Sequence, residues 1–235
     1  MHTDASGYGF LLLFGCGLGA VVGAVALLGA LVARRWTLAL AVLGVGMAGA
    51  AAYAALLLAV SLGSRSEVLA PGVEKHLCEM DCHLAYMVVG VWTAPTLGSG
   101  DSAVRSRGAF WVVTVQARFD ETTMGPRRPL DAPVYGGPRT VEVVDDRGRR
   151  YAPTNVARLA LPDTGGACLA PAHPLLPGAT CATTLVFDLP PDAAAPRLLV
   201  ANADPIAAFI VGHEMSFWHR RSYFALNPQL LSAAR

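Results

Sequence analysis

From Tyr8 to Leu62 the chain carries only two charged residues, Arg34 and Arg35, and they are adjacent. On either side of that pair lies an apolar stretch longer than the roughly 20 helical residues that cross the hydrocarbon core of a bilayer. A helix that is apolar all round has no face to turn toward water, so it must be enclosed by protein or by lipid. The pattern therefore predicts two transmembrane helices, over residues 8–33 and 37–62, joined by the tight turn ARRWT. After Gly63 the composition changes to Pro, Asp, Arg and Thr with short apolar runs. That remainder is long enough to fold as one compact domain with its own core. The expected organisation is a helix hairpin over residues 1–63 and a second domain over 64–235.

A cleaved signal peptide would need a positively charged start, whereas this chain opens MHTDASGYG with Asp4 and no Lys or Arg, so the first helix is expected to be retained. Basic residues in short loops stay on the cytoplasmic side, which assigns the Arg34–Arg35 turn to that face. Both termini and the 64–235 domain then lie on the periplasmic side of a bacterial inner membrane. Cysteine usage agrees, because Cys78, Cys82, Cys168 and Cys181 fall in the exported part, where an even number can oxidise in pairs, while Cys16 sits alone in the first helix. A net charge of +1 argues against nucleic acid as a partner and against a polybasic lipid-binding role.

Within the hairpin, Gly15, Gly19 and Gly23 recur every four residues in one helix, as do Gly44, Ala48 and Ala52 in the other. Residues four apart share a face, and small side chains let two backbones approach closely in lipid. One reading has the two helices packing only on each other. The other adds a second small face, Gly46, Ala50 and Ala54, that accepts a helix from another membrane protein. Neither helix has an ionisable residue in its interior, which removes the usual marker of a transport path.

The exported part alternates with period two in several short runs. In FWVVTVQARF, Trp111, Val113, Val115, Ala117 and Phe119 fall on one face, and Thr114, Gln116 and Arg118 on the other, as in a half-buried strand. RTVEVVDDRGRRYAPT places Asp145, Asp146, Arg147 and Gly148 between two strand-like runs and reads as a hairpin. TTLVFDLP, with Leu185, Phe187 and Leu189, then RLLVANA and RSYFAL supply further strands. Strands and turns at this spacing, without a long amphipathic helix, predict an all-β antiparallel sandwich.

The order of a hairpin ending DDRGRRY, then LLPGATCATTLVFDLP, then a terminal strand resembles the immunoglobulin-like sandwich domains that bacteria export and tether to their membranes. The resemblance covers about residues 73–226 and implies the fold. It brings no shared catalytic residues. The chain departs from that pattern in its two-helix anchor and in the stretch CEMDCH, residues 78–83.

CEMDCH has two readings. If residues 74–92 form one extended run, Cys78 and Cys82 lie about 13 Å apart at roughly 3.3 Å per residue, beyond the ~7 Å Cα limit for a disulfide. Each would then need Cys168 or Cys181. If residues 74–82 make a helical turn, positions 78 and 82 become neighbours. A Cys168–Cys181 pairing would close a loop of 14 residues with three prolines, stabilising by about 3 kcal/mol in the chain-entropy model. Alternatively Cys78, Cys82, Met80 and His83 offer the soft and imidazole ligands of a copper site, joined by Met87 or by His213 and His219. Covalent haem fits less well, because its common attachment motif places two residues between the cysteines and this stretch places three.

GHEMSFWH holds His213, Glu214 and His219 at a spacing that matches no zinc-enzyme helix motif. Backbone satisfaction, or pairing with Arg220 and Arg221, is the expected use. Asp145 and Asp146 read as turn residues, and no nucleophile elbow, phosphate loop or dinucleotide fingerprint is present. The expectation is a non-catalytic accessory subunit without a cofactor, partnered by other membrane subunits and by the lipid bilayer. A tethered copper or redox domain and a free-standing envelope module that binds a peptide along a sheet edge are the alternatives.

Overall fold

In a computed structural model the described residues are 5–77, 83–100, 103–124, 128–129, 131–135, 140–155, 160–161, 169, 173–202 and 204–228. Two N-terminal helices precede a β-rich domain. The chain divides into two compact units, one of them Thr3–Arg65 with Asp204–Arg221, the other principally Ser66–Ala203 with Ser222–Arg235.

The helical unit contains α1, Ala5–Val32, and α2, Trp36–Gly63, each within a few residues of its expected bounds. Both are long and apolar enough to cross a membrane, and most of their side chains, Leu18, Val25 and Val45 among them, are exposed. The turn between them ends α1 with paired backbone bonds, Arg34 N–H to Leu31 O at 3.0 Å and Arg35 N–H to Ala30 O at 2.8 Å. That closure requires a left-handed residue, and Arg34 takes it with φ of 54°. Among the described residues of the pair, Gly9, Ala30, Ala39, Leu57 and Ser61 are buried. A Cβ built on Gly15, Gly19, Gly23, Gly44 or Gly46 would meet nothing within 4 Å.

The β unit has two main sheets. One follows the order β1 (Glu67–Leu69), β11 (Ser222–Ala225), β10 (Arg197–Ala201), β6 (Thr140–Val144), β7 (Arg150–Tyr151). The other runs β2 (Lys75–Leu77), β3 (Leu84–Leu97), β4 (Val104–Phe119), β9 (Thr180–Leu189). A short pair, β5 (Val134–Tyr135) and β8 (Pro174–Leu175), stands apart from both. Pairing is antiparallel except between β1 and β11, where Glu67 to Leu69 run parallel to Ser222 to Phe224. The expected wholly antiparallel arrangement is corrected there. The two strands meet from opposite ends of the unit's sequence, so no tight turn forces them to run in opposite directions.

Inward residues of both sheets form one core. Tyr86, Val88, Val113, Val115, Phe119, Phe187 and Leu189 from the second sheet meet Val143, Leu198, Val200 and Phe224 from the first. The alternation read in FWVVTVQARF is present, with Val113, Val115, Ala117 and Phe119 fully buried and Thr114, Gln116 and Arg118 half-buried. On the opposite face of β4, however, Phe110 and Val112 are also buried, clustered with Leu97 and Val186 and covered by Ala160 and Leu161. Thr154 N–H bonds Val186 O at 2.7 Å. One end of this sheet is therefore buried on both sides. Gly108 sits where β4 meets the end of β9, and a Cβ there would lie 2.6 Å from Leu189 O, so the close approach requires glycine.

The β6–β7 hairpin forms as expected from DDRGRRY. The buried Asp145 carboxylate accepts Arg147 N–H at 3.0 Å and Arg149 N–H at 2.8 Å, and Gly148 supplies the left-handed φ of 77°. Arg149 Nε at 2.6 Å and the Tyr151 hydroxyl at 3.1 Å complete its shell. Burial opposes that charge, but the bonds from Arg149 and Tyr151 outweigh it and hold the carboxyl below the usual range.

Candidate functional site at the cysteine hairpin

Lys75, His76 and Leu77 pair with Tyr86, Ala85 and Leu84. CEMDCH thus joins two antiparallel strands whose ends face each other, and His83 is its last residue. Both conformational readings turn on residues 78–82, which lie outside the described residues, while the flanking strands β2 and β3 pair antiparallel. Lys75–Leu77 is a strand, so a helical turn does not begin at residue 74. Cys78, Met80 and Cys82 themselves lie outside the described residues, as does Cys168.

The strands around this hairpin gather a polar cluster. β4 ends at Phe119, and the next residue, Asp120, caps a 3-10 turn over Glu121–Thr123. Asp120 Oδ1 accepts Thr122 N–H at 3.1 Å and the Thr122 hydroxyl at 2.7 Å, while Oδ2 lies 3.0 Å from His76 Nε2. Asp120 N–H donates to His83 O at 2.7 Å and fixes the far end of CEMDCH to the end of β4. Burial of Asp120 favours the neutral acid, yet the hydrogen bonds from Thr122 and His76 and the nearby Arg118 charge prevail, leaving its carboxyl well below the usual carboxylate range. An ionised Oδ2 accepts, so His76 Nε2 carries the proton of that bond.

His83 is fixed by the same reasoning. Its Nδ1 lies 2.6 Å from Thr123 Oγ1, and that hydroxyl donates its single proton to Asp120 O at 2.7 Å. The hydroxyl must therefore accept from His83 Nδ1–H. The imidazole stacks on Phe119 with ring centroids 5.3 Å apart. At the rim Arg118 forks onto Glu74 with Nε–Oε1 at 2.7 Å and Nη2–Oε2 at 2.8 Å, and its Nη1 reaches Asp120 Oδ1 at 3.4 Å. The bond from Arg118 holds the Glu74 carboxyl below its ordinary range.

Of the residues read from sequence as ligands, His83 is buried in this cluster and Met87 lies on β3. His213 and His219 belong to the helical unit, where His213 Nδ1 accepts Met215 N–H at 3.0 Å and His219 Nδ1 lies 2.9 Å from Arg220 O. Among the described residues no group of three His, Cys, Asp or Glu is placed to hold a metal ion. Cys181 is disulfide-bonded, and its sulfur lies 3.6 Å from His173 Nε2. Cys16 is a free, exposed thiol.

The sequence reading placed Arg118 only on the polar face of its strand and passed over Glu74, His76, Asp120, Thr122 and Thr123. Two signals were available. KHLCEMDCH carries a histidine before the cysteines as well as after them, and RFDETT has an Asp followed two residues later by Thr at a strand end, the pattern of a capped turn.

Two solved structures are similar to the chain. A secreted protein from Mycobacterium tuberculosis, MPT63, has 12% identity and a TM-score of 0.43, with 69% of this chain and 99% of that one covered. A conserved hypothetical protein from Bacillus anthracis has 15% identity and a TM-score of 0.33, with 56% and 94% covered. No protein-family model and no curated protein matches the sequence.

Proposed function

We propose that the chain is a non-catalytic accessory subunit of a larger bacterial inner-membrane complex. In this reading α1 and α2 cross the membrane as a two-pass anchor, with the Arg34–Arg35 turn in the cytoplasm. The β unit is an immunoglobulin-like sandwich on the periplasmic side, where it contacts partner subunits. The single observation that carries the reading is the open state of the small-residue faces, since a Cβ on Gly15, Gly19, Gly23, Gly44 or Gly46 has no neighbour within 4 Å. The hairpin leaves these grooves unfilled, and grooves of this kind are where a second helix gains close contact in lipid. The sandwich assignment rests on two sheets that share one core and on a chain that passes from β4 in one sheet to β6 in the other, then back to β9.

The test is Gly46→Leu in the full-length protein. The expected result is loss of co-purification with membrane partners in mild detergent, while the β unit's circular dichroism and melting stay unchanged. Wild-type protein that migrates alone under the gentlest extraction would overturn the subunit reading.

A copper or redox domain is the second reading, favoured by the placement of His76 on β2 and of His83 immediately before β3, on either side of Cys78, Met80 and Cys82 in the sequence. Elemental analysis and an optical spectrum of the detergent-extracted protein decide between them, because bound copper would displace the accessory-subunit reading.

A further inference from the structure

Between β10 and β11 the chain leaves the sheet, and the excursion Asp204–Arg221 forms one compact unit with the two helices. Its inner side is tied down. Asp204 Oδ1 caps the turn Pro205–Phe209 through Ile206 N–H at 3.0 Å, and the buried Ser216 hydroxyl bonds the carbonyls of Ile210 and His213. Its outer side is apolar, with Ile206 59%, Phe209 50%, Phe217 44% and Trp218 68% exposed. The rings form a continuous row, Phe209 edge-on to Phe217 at 5.2 Å and Phe217 at 5.8 Å from Trp218. Trp218 has a φ of 59°, a left-handed conformation that bulky residues rarely adopt.

Contacts with the helices fix the level of this row. A Cβ on Gly9 would run into Val211 O, so backbone rests on backbone there. The Tyr53 hydroxyl donates to Phe209 O at 2.5 Å, and Arg220 N–H donates to Ser64 Oγ at 2.8 Å. The three points lie near the start of α1, in the second half of α2 and at the residue that caps α2, away from the Arg34–Arg35 turn. A hydrocarbon layer of about 30 Å takes roughly 20 helical residues, which from that turn reaches back to about residue 13 in α1 and forward to about residue 56 in α2. At 1.5 Å per residue Tyr53 lies about 4.5 Å inside the α2 limit, Gly9 about 6 Å outside the α1 limit and Ser64 about 12 Å outside, so the contacts straddle the boundary and extend into the headgroup layer. The aromatic row therefore stands where acyl chains give way to headgroups, the depth at which Trp and other amphipathic rings are favoured. The exposed Arg220 adds a cation suited to lipid phosphate.

We propose that residues 205–218 are a lipid-docking element, seating Ile206, Phe209, Phe217 and Trp218 in the headgroup–acyl boundary of the leaflet opposite the Arg34–Arg35 turn. This rests on the hairpin spanning the bilayer, and Trp36 at the turn provides an independent reporter of that. Full-length wild-type, Trp36→Phe and Trp218→Phe proteins are reconstituted in phosphatidylcholine–phosphatidylglycerol vesicles containing lipids brominated near the headgroup or deep in the chain. Subtracting each variant's emission from wild type isolates one indole. The expected result is that shallow bromines remove about half or more of the Trp218 emission, as for an interfacial indole, and deep bromines remove less. Trp218 quenched by aqueous iodide but not by either brominated lipid, with Trp36 still lipid-quenched, would overturn the proposal and point to a protein partner for the row. Loss of lipid quenching at both indoles would overturn the membrane-spanning reading along with it.

Discussion

The Lys75 ammonium donates to Val200 O at 2.9 Å and to Ser222 O at 3.0 Å, so a buried lysine on one sheet holds the backbone of two strands in the other. Hydrogen bonds from a charged donor are stronger than neutral ones, and these replace part of the hydration that burial removes. Lys75→Met keeps most of the side-chain volume but leaves both carbonyls without this donor. It is expected to lower unfolding stability by about 1–3 kcal/mol, with Lys75→Ala lower still through the added cavity. Urea titration of the full chain in detergent measures both, and a Lys75→Met protein as stable as wild type would refute the tie.

Acid sensitivity follows from Asp120 and Glu74, whose carboxyls are both depressed in the folded state. A depressed carboxyl gives stability that is complete above its unfolded pKa, near 4, and that is lost as pH falls through the folded value. The denaturation midpoint of the β unit should therefore be level from pH 7 to about 5 and fall steadily below about 4. Asp120→Asn should start lower at pH 7 and show a shallower acid slope. An unchanged slope in that variant would show that Asp120 does not contribute to the acid response.

Thiol chemistry tests oxidation and topology together. Peptide mapping without reduction should find no free thiol among Cys78, Cys82, Cys168 and Cys181, with Cys16 as the free one. After mild reduction of intact spheroplasts, a membrane-impermeant maleimide should label Cys168 and Cys181. Labelling that requires lysis would place the β unit in the cytoplasm. Free Cys78 and Cys82 with bound copper would support the redox reading.

What the sequence disclosed and what it hid divide along local and distant causes. The helices, the long strands β4 and β9, and the Asp145 turn are specified by neighbouring residues, and each was legible. The parallel β1–β11 pairing was not, because a three-residue strand finds its partner far away in the chain. Phe110 and Val112 sit on a face that reads as the polar side of its strand, yet Ala160 and Leu161 return to cover it. Lys75 has the residue type of a surface position and is buried by the opposite sheet. The site was partly visible through His83, while Asp120 and His76 are brought together only by the pairing of β2, β3 and β4. In GHEMSFWH the eye goes to the histidines, but the exposed side chains are Phe217 and Trp218.

The order of strands also sets a timetable for synthesis. β11 lies between β1 and β10, so the first sheet lacks its second strand, and β1 is cut off from the rest, until residues 222–225 have been made. A ribosome adds on the order of 5–20 residues per second. During the interval after β10 emerges, β1 has no neighbour and β10 shows an unpaired edge beside Leu198 and Val200. A nascent chain stopped before Ser222 would thus present an open edge for aggregation or for proteolysis until β11 fills it.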